Sequence, residues 1–218
     1  MKKLIALGGV LMMLLLLTGC ATKKPYDYSA FRASKPASIL VLPADNTSPD
    51  INAAHSLTSL VTRPLAEAGY YVFPVAVVEE TFQQNGLTSA SDAQAVSAKR
   101  LNEIFHADSA LYISISEYGS SYRVIDSVTI VTAKARLVDL RSGKEIWQGK
   151  ASASDSENGN NNNGGLVGML VSAAIKQIAS NVTDKAHTVA GLTSNRLLAQ
   201  NEQGGLLTGP RYKLVSAR

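Results

Sequence analysis

Cysteine occurs once in this chain, at position 20, so no structural disulfide can form and the fold must rest on packing. Histidine occurs only at 55, 106 and 187, far from the close pairing of a zinc motif. Glycine-flanked serine elbows and phosphate loops are absent as well, which removes the common hydrolase and nucleotide signatures. Charge of either sign is sparse. The net +4 includes Lys2 and Lys3, and a chain starting at residue 20 carries +2, too little to imply a nucleic-acid partner. The one long apolar run, residues 4–17, is shorter than the ~20 residues that span a bilayer.

What that run does resemble is a signal-peptide core behind a basic start. Leu17-Thr18-Gly19-Cys20 follows it, and the small residues at 18 and 19 suit a peptidase cleft. Cleavage would make Cys20 the first residue, with palmitate-type acyl chains on its thiol and new amine. Each buried methylene contributes about 0.8 kcal/mol, so two or three chains hold where one lingers. An ordinary secretory signal with an incidental cysteine is the competing reading. It would leave an unpaired thiol in an exported protein. Ala21 stands where an aspartate would favour inner-membrane retention, so the expected location is the outer membrane, lipid-anchored and facing the periplasm.

The expected organisation is a signal peptide over 1–19, a lipid-anchored tether over 20–36, one α/β domain over 37–190, and a tail over 191–218. The tether has no apolar period and ends at Pro36. Lys23, Lys24, Arg32 and Lys35 cluster in it, either as a solvated face or against anionic head groups. Ser38-Ile39-Leu40-Val41-Leu42 reads as a buried strand. Asp50 then caps a helix with Ile51, Ala54, Leu57, Val61, Leu65 and Ala68 on one side, bent or restarted at Pro64 and stopped at Gly69. Residues 70–75 form a second strand parallel to the first. A short helix over 77–84 and a longer one capped by Ser91 or Asp92, carrying Ala93, Val96, Leu101, Ile104 and Phe105, lead to a third strand around Leu111, Ile113 and Ile115.

Gly119-Ser120-Ser121 reads as a turn, and 122–139 as one long strand with Val131, Ala133, Ala135 and Leu137 on its buried side. Arg141-Ser142-Gly143-Lys144 turns it back as a hairpin anchored by Trp147. Residues 152–165 end in an asparagine and glycine run and are expected to form a mobile loop that buries nothing. An amphipathic helix follows, with Val167, Leu170, Ile175, Ile178, Val182 and Val189 on its stripe, docked on the domain's own sheet. The fold class is thus a two- or three-layer α/β sandwich with a mixed sheet: a βαβ start, an antiparallel hairpin end and a long carboxy-terminal helix. The late apolar patch, Leu206, Leu207, Pro210 and Tyr212, either docks back or binds a partner.

No catalytic constellation emerges. The histidines read as solvated or hydrogen-bonded residues, with no metal and no cofactor. Glu79 and Glu80 are neighbours on a helix, about 100° apart, and read as a wet face. Ser120 and Ser121 have no base placed beside them and read as turn residues. Tyr70, Tyr71, Phe73 and Tyr112 read as core aromatics, with a pocket lining as the alternative.

The lipobox, the run Pro64-Leu65-Ala66-Glu67-Ala68-Gly69-Tyr70-Tyr71-Val72-Phe73-Pro74-Val75, the run His106-Ala107-Asp108-Ser109-Ala110-Leu111-Tyr112-Ile113 and the late Gly-Pro-Arg-Tyr segment together resemble a family of bacterial outer-membrane lipoproteins known by a domain of unknown function. More distantly, 39–47 and 138–144 are similar to segments of the curli-secretion channel lipoprotein, of lipoprotein activators of peptidoglycan synthases, and of the amino-terminal domain of the Tol-system propeller protein. The resemblance implies an α/β sandwich acting as an envelope interaction or assembly module, and it brings no catalytic residues. Lys134 and Arg136 on the outward side of 122–139 argue against a lipid-facing barrel strand.

The expected function is therefore a noncatalytic lipoprotein, an accessory of secretion or envelope biogenesis. It is held to the membrane by acyl chains on Cys20 and contacts other envelope proteins through its sheet edge, its 152–165 loop or its tail. Homo-oligomerisation stays open, as do two alternatives: a periplasmic small-ligand carrier and an envelope-polymer hydrolase of unrecognised chemistry.

Overall fold

A computed structural model of the chain describes residues 25–122, 127–157 and 182–212. The signal segment, the lipobox, the asparagine run and the 167–181 part of the expected carboxy-terminal helix lie outside the described residues.

The chain runs α1 (Ser29–Ser34), β1 (Ser38–Val41), β2 (Asp45–Asn46), α2 (Ala53–Glu67), β3 (Tyr71–Val72), α3 (Val75–Gln84), α4 (Ala90–Ala95), α5 (Ala98–Phe105), β4 (Ser109–Tyr122), β5 (Ser127–Asp139), β6 (Glu145–Ser154) and α6 (Val182–Leu197). The strands form one mixed sheet in the order β3-β1-β4-β5-β6, with β2 also on β4. β3, β1, β2 and β4 pair in parallel, and β4-β5-β6 are antiparallel. The βαβ start and hairpin end are as expected.

β1 is apolar on both faces because both are covered. Ile39 and Val41 face the larger core with Leu57, Val61 and Leu65 of α2 and Val189 and Ala190 of α6. Leu40 and Leu42 face a second core with Val78 and Phe82 of α3, Ala93 of α4 and Leu101 of α5. The molecule is thus three layers deep over β1. Further along β4-β5-β6, helix packing continues on the α6 side, while Lys134, Arg136, Gln148 and Lys150 on the other side are exposed.

Several boundaries differ from the expectation. Residues from Tyr26 onward belong to the fold: α1 stands where extended tether is expected, with Tyr28 and Phe31 buried. Helix α2 continues through Pro64 unbroken, and Ile51, expected on its buried stripe, precedes the first turn and is 86% exposed. The helix expected after Ser91 is two helices, capped by Ser89 and Ser97, because Val96 between them is extended. Gly119-Ser120-Ser121 is strand, opposite Ile130, Thr129 and Val128 of β5, so the single strand expected over 122–139 is the second arm of a hairpin. Ser152, Ala153 and Ser154, expected in the loop, close β6, and Ala153 is fully buried. Helix α6 also passes Gly191, where the tail is expected, and ends at Leu197.

Candidate functional site

Three places concentrate polar or unusual geometry. The first is the stem. Tyr28 donates its hydroxyl to Gly205 O at 2.6 Å and accepts from Gly204 N at 2.9 Å, while Trp147 Nε1 donates to Gly204 O at 3.1 Å. Tyr26 accepts from Gln148 N on edge strand β6 at 3.0 Å, and Arg196 donates to Ser152 O at 2.9 Å, so both cover an edge that would otherwise invite another strand. The expected stem cluster is divided: Arg32 pairs with Glu202 at 3.5 Å, and Lys35 caps α1 in the left-handed region.

Two aspartates from the motif segments lock this stem to the sheet. Asp108 accepts from Ala37 N at 2.9 Å and from Ser38 N and Oγ at 3.0 Å. Asp139, buried at the end of β5, accepts from Ser34 Oγ at 2.5 Å, Ser142 N at 2.7 Å, Ser142 Oγ at 2.8 Å and Arg141 at 3.0 Å. Burial pushes its carboxyl upward, but the hydrogen bonds from Ser34, Ser142 and Arg141 outweigh this and bring the pKa down to about 2. The sequence marked both segments without assigning the aspartates a role.

The second place is the carboxy-terminal patch, which docks back. Gly209 N donates to Ala68 O at 2.7 Å, Arg211 N to Gly69 O at 3.1 Å, and Arg211 Nη1 to Ala37 O at 3.0 Å. Tyr70 donates its hydroxyl to Leu207 O at 2.5 Å, and burial raises its pKa above the ordinary tyrosine value. Leu206 is completely buried, so at this residue the patch follows the docked-back alternative and not partner contact; Leu207 is half-buried, and Pro210 and Tyr212 are exposed.

The third place is the open side of β4-β5-β6. Tyr112, Ser114, Lys134, Arg136, Gln148, Lys150 and Gln94 of α4 line a groove of about 490 Å³. The Arg136 guanidinium sits 3.9 Å over the Tyr112 ring centroid. Tyr112 therefore both fills core and lines a pocket, whereas Tyr71 is 48% exposed and does neither fully.

The remaining residues are dispersed. Glu79 and Glu80 accept from Gln83 and Gln84 along α3. Ser120 Oγ lies 3.0 Å from Thr129 Oγ1 across the hairpin. His106 caps α5 in the left-handed region, and His55 lies 3.6 Å from Glu79. His187 Nδ1 is 2.7 Å from Ser56 Oγ, which accepts from the Tyr118 hydroxyl at 2.7 Å. This chain of hydroxyl and imidazole links α6, α2 and β4, a contact between residues 56 and 187 that no local pattern encodes. Among the described residues no three His, Cys, Asp or Glu side chains cluster as metal ligands, and no helix is long and apolar enough to cross a membrane.

The family model described as "Putative lipoprotein GNA1162-like" matches residues 26–211. The chain is 52% identical over 200 residues, 91% of its length and 92% of the relative's, to "Putative lipoprotein NMB1124/NMB1162" of Neisseria meningitidis serogroup B. The crystal structure of lipoprotein GNA1162 from Neisseria meningitidis aligns with 57% identity and a TM-score of 0.54, over 67% of this chain and all of that one. The LpoB C-terminal domain of Salmonella enterica aligns at 21% identity and a TM-score of 0.38, over 58% of this chain and 98% of that one.

Proposed function

From its membership of the GNA1162-like lipoprotein family, to which this chain belongs, we propose that it is a noncatalytic, lipid-anchored envelope protein that offers a rigid α/β module to other envelope proteins. Acyl chains on Cys20, exposed by cleavage after Leu17, Thr18 and Gly19, hold it in the outer membrane with the domain toward the periplasm. The observation that carries partner contact is the clamped 206–212 segment, whose backbone is tied to residues 68 and 69 while Pro210 and Tyr212 face outward. A segment already held in place loses little conformational freedom on binding, and that favours recognition over a free tail. The grooves are open to solvent, so enclosure of a small ligand has less support.

Crosslinking in native membranes, followed by mass spectrometry, tests this reading. Reproducible capture of other envelope proteins, weakened by a Pro210→Ala/Tyr212→Ala double variant that still folds, is the expected result. Self-crosslinks alone would replace the reading with a homo-oligomer. For the anchor, Cys20→Ala should abolish acylation and move the protein to the soluble fraction; retention of that variant in membranes would refute it.

A further inference from the structure

The groove on the open side of β4-β5-β6 is a cationic surface that no ion pair among the described residues neutralises. Lys134 and Lys150 are cross-strand partners, and Arg136 stands two residues along β5 opposite Gln148. All three are exposed. Like charges placed opposite one another on a sheet repel. Yet among the described residues none of the three is in an ion pair. Glu117, a carboxylate on this side, accepts instead from Thr132 Oγ1 at 2.6 Å, and Glu145, opposite Val138, is in no ion pair among the described residues. Glu157 and Glu202 near the same edge are taken by Arg196 and Arg32. The Tyr112 ring steadies Arg136 without cancelling its charge.

The position of the stem indicates which anion this surface meets. Tyr26 is hydrogen-bonded to Gln148 N, and Pro25 and Tyr26 share a cavity with Gln148, Gly149 and Lys150. Cys20 lies six residues before Tyr26. A fully extended chain spans at most about 3.6 Å per residue, so the anchor is within roughly 20 Å of this edge. So short a tether holds the domain against its own bilayer at high effective concentration. We propose that Lys134, Arg136 and Lys150 bind phosphate head groups of the bilayer that receives the acyl chains, so that the domain lies with its open sheet face on the membrane. This rests on acylation of Cys20.

A mature chain carrying Cys20→Ala separates the two ideas, because its vesicle binding cannot pass through acyl chains. It should sediment with phosphatidylcholine vesicles containing phosphatidylglycerol and not with phosphatidylcholine alone, more weakly as salt rises. A basic residue at an anionic surface adds about a fivefold gain, so Lys134→Gln/Arg136→Gln/Lys150→Gln should lower the partition coefficient on the order of a hundredfold. Lys99→Gln/Lys144→Gln, which removes two positive charges elsewhere on the surface, should change it little. Equal binding to both vesicle types, or an unaffected triple variant, overturns the proposal. So does binding of a polyglutamate peptide that persists when anionic vesicles are not bound. Wild-type protein that is acylated but whose Cys20→Ala form ignores anionic vesicles would sink this inference alone; absence of acylation would sink the anchor.

Discussion

Ser194 Oγ donates at 3.2 Å to the carbonyl of Leu60, the one helical acceptor in α2 that Pro64 deprives of its amide. Ser194 is buried on α6, so the helix that packs across α2 repairs the defect that proline makes there. The lost intrahelical bond is thereby replaced, and α2 continues through Pro64 instead of restarting.

Removing the hydroxyl should leave that carbonyl unsatisfied, at a cost of about 1–3 kcal/mol. Ser194→Ala is expected to lower stability by that order in the native background. In a Pro64→Ala background, where the amide of residue 64 supplies the bond, the same substitution should cost clearly less. Urea unfolding of both single variants and the double variant gives the coupling. Equal losses in the two backgrounds would show that the contact is incidental.

The Asp139 carboxylate predicts an acid-dependent part of stability. Its pKa of about 2 in the fold lies below the roughly 3.9 of an unfolded aspartate. The contribution, about 2 kcal/mol, is complete above the unfolded value and disappears as pH falls through the folded one. Asp139→Asn should therefore be destabilised by that order at pH 7, and the gap to wild type should narrow between pH 4 and pH 2. Ser34→Ala, which removes one donor and the tie to α1, should raise the carboxyl pKa and start the loss at higher pH. Unfolding series at pH 7, 4 and 2.5 check both, and a gap independent of pH would contradict the assignment.

Much of the sheet was legible because β1 is apolar on both faces and β5 alternates over residues 133–137, with Ala133, Ala135 and Leu137 buried and Lys134 and Arg136 exposed, although Thr132, on the outward side of the pattern, is buried as well. What escaped depends on distant partners. Gly119, Ser120 and Ser121 have turn-like identities, but ladder pairing with β5 overrides that preference. Tyr26, Tyr28 and Phe31 show no period, and the partners of Tyr28, Asn201 and Gly205, lie more than a hundred residues away. The apolar identity of Leu206 was visible, whereas its burial in the protein's own core was a matter of tertiary docking. The cations of the open face could be read as non-barrel residues, but their convergence with Lys150 required the register of β5 and β6.

The docked carboxy-terminal segment depends on two glycines, and each can be tested against a third. Gly69 has φ +90°, and a Cβ there would lie 2.2 Å from Tyr212 N and 2.7 Å from Tyr212 Cα. At Gly209 a Cβ would meet Gly69 O at 2.6 Å. Neither neighbour is a flexible side-chain end, so alanine must push the segment off rather than be absorbed. Gly86 also has positive φ, at +79°, but nothing lies within 4 Å of its Cβ position. Gly86→Ala should thus cost only backbone strain, about 1 kcal/mol, and leave the segment in place. Gly69→Ala and Gly209→Ala should release it, opening the exposed Arg211 bond to trypsin and freeing Tyr70 from Leu207. Limited proteolysis with mass readout at the carboxy terminus, beside thermal unfolding of the same variants, separates strain from release. If Gly69→Ala and Gly209→Ala were cleaved at the same rate as Gly86→Ala and wild type, the backbone clamp would not be what holds Pro210 and Tyr212 outward, and the proposed partner surface would lose its support.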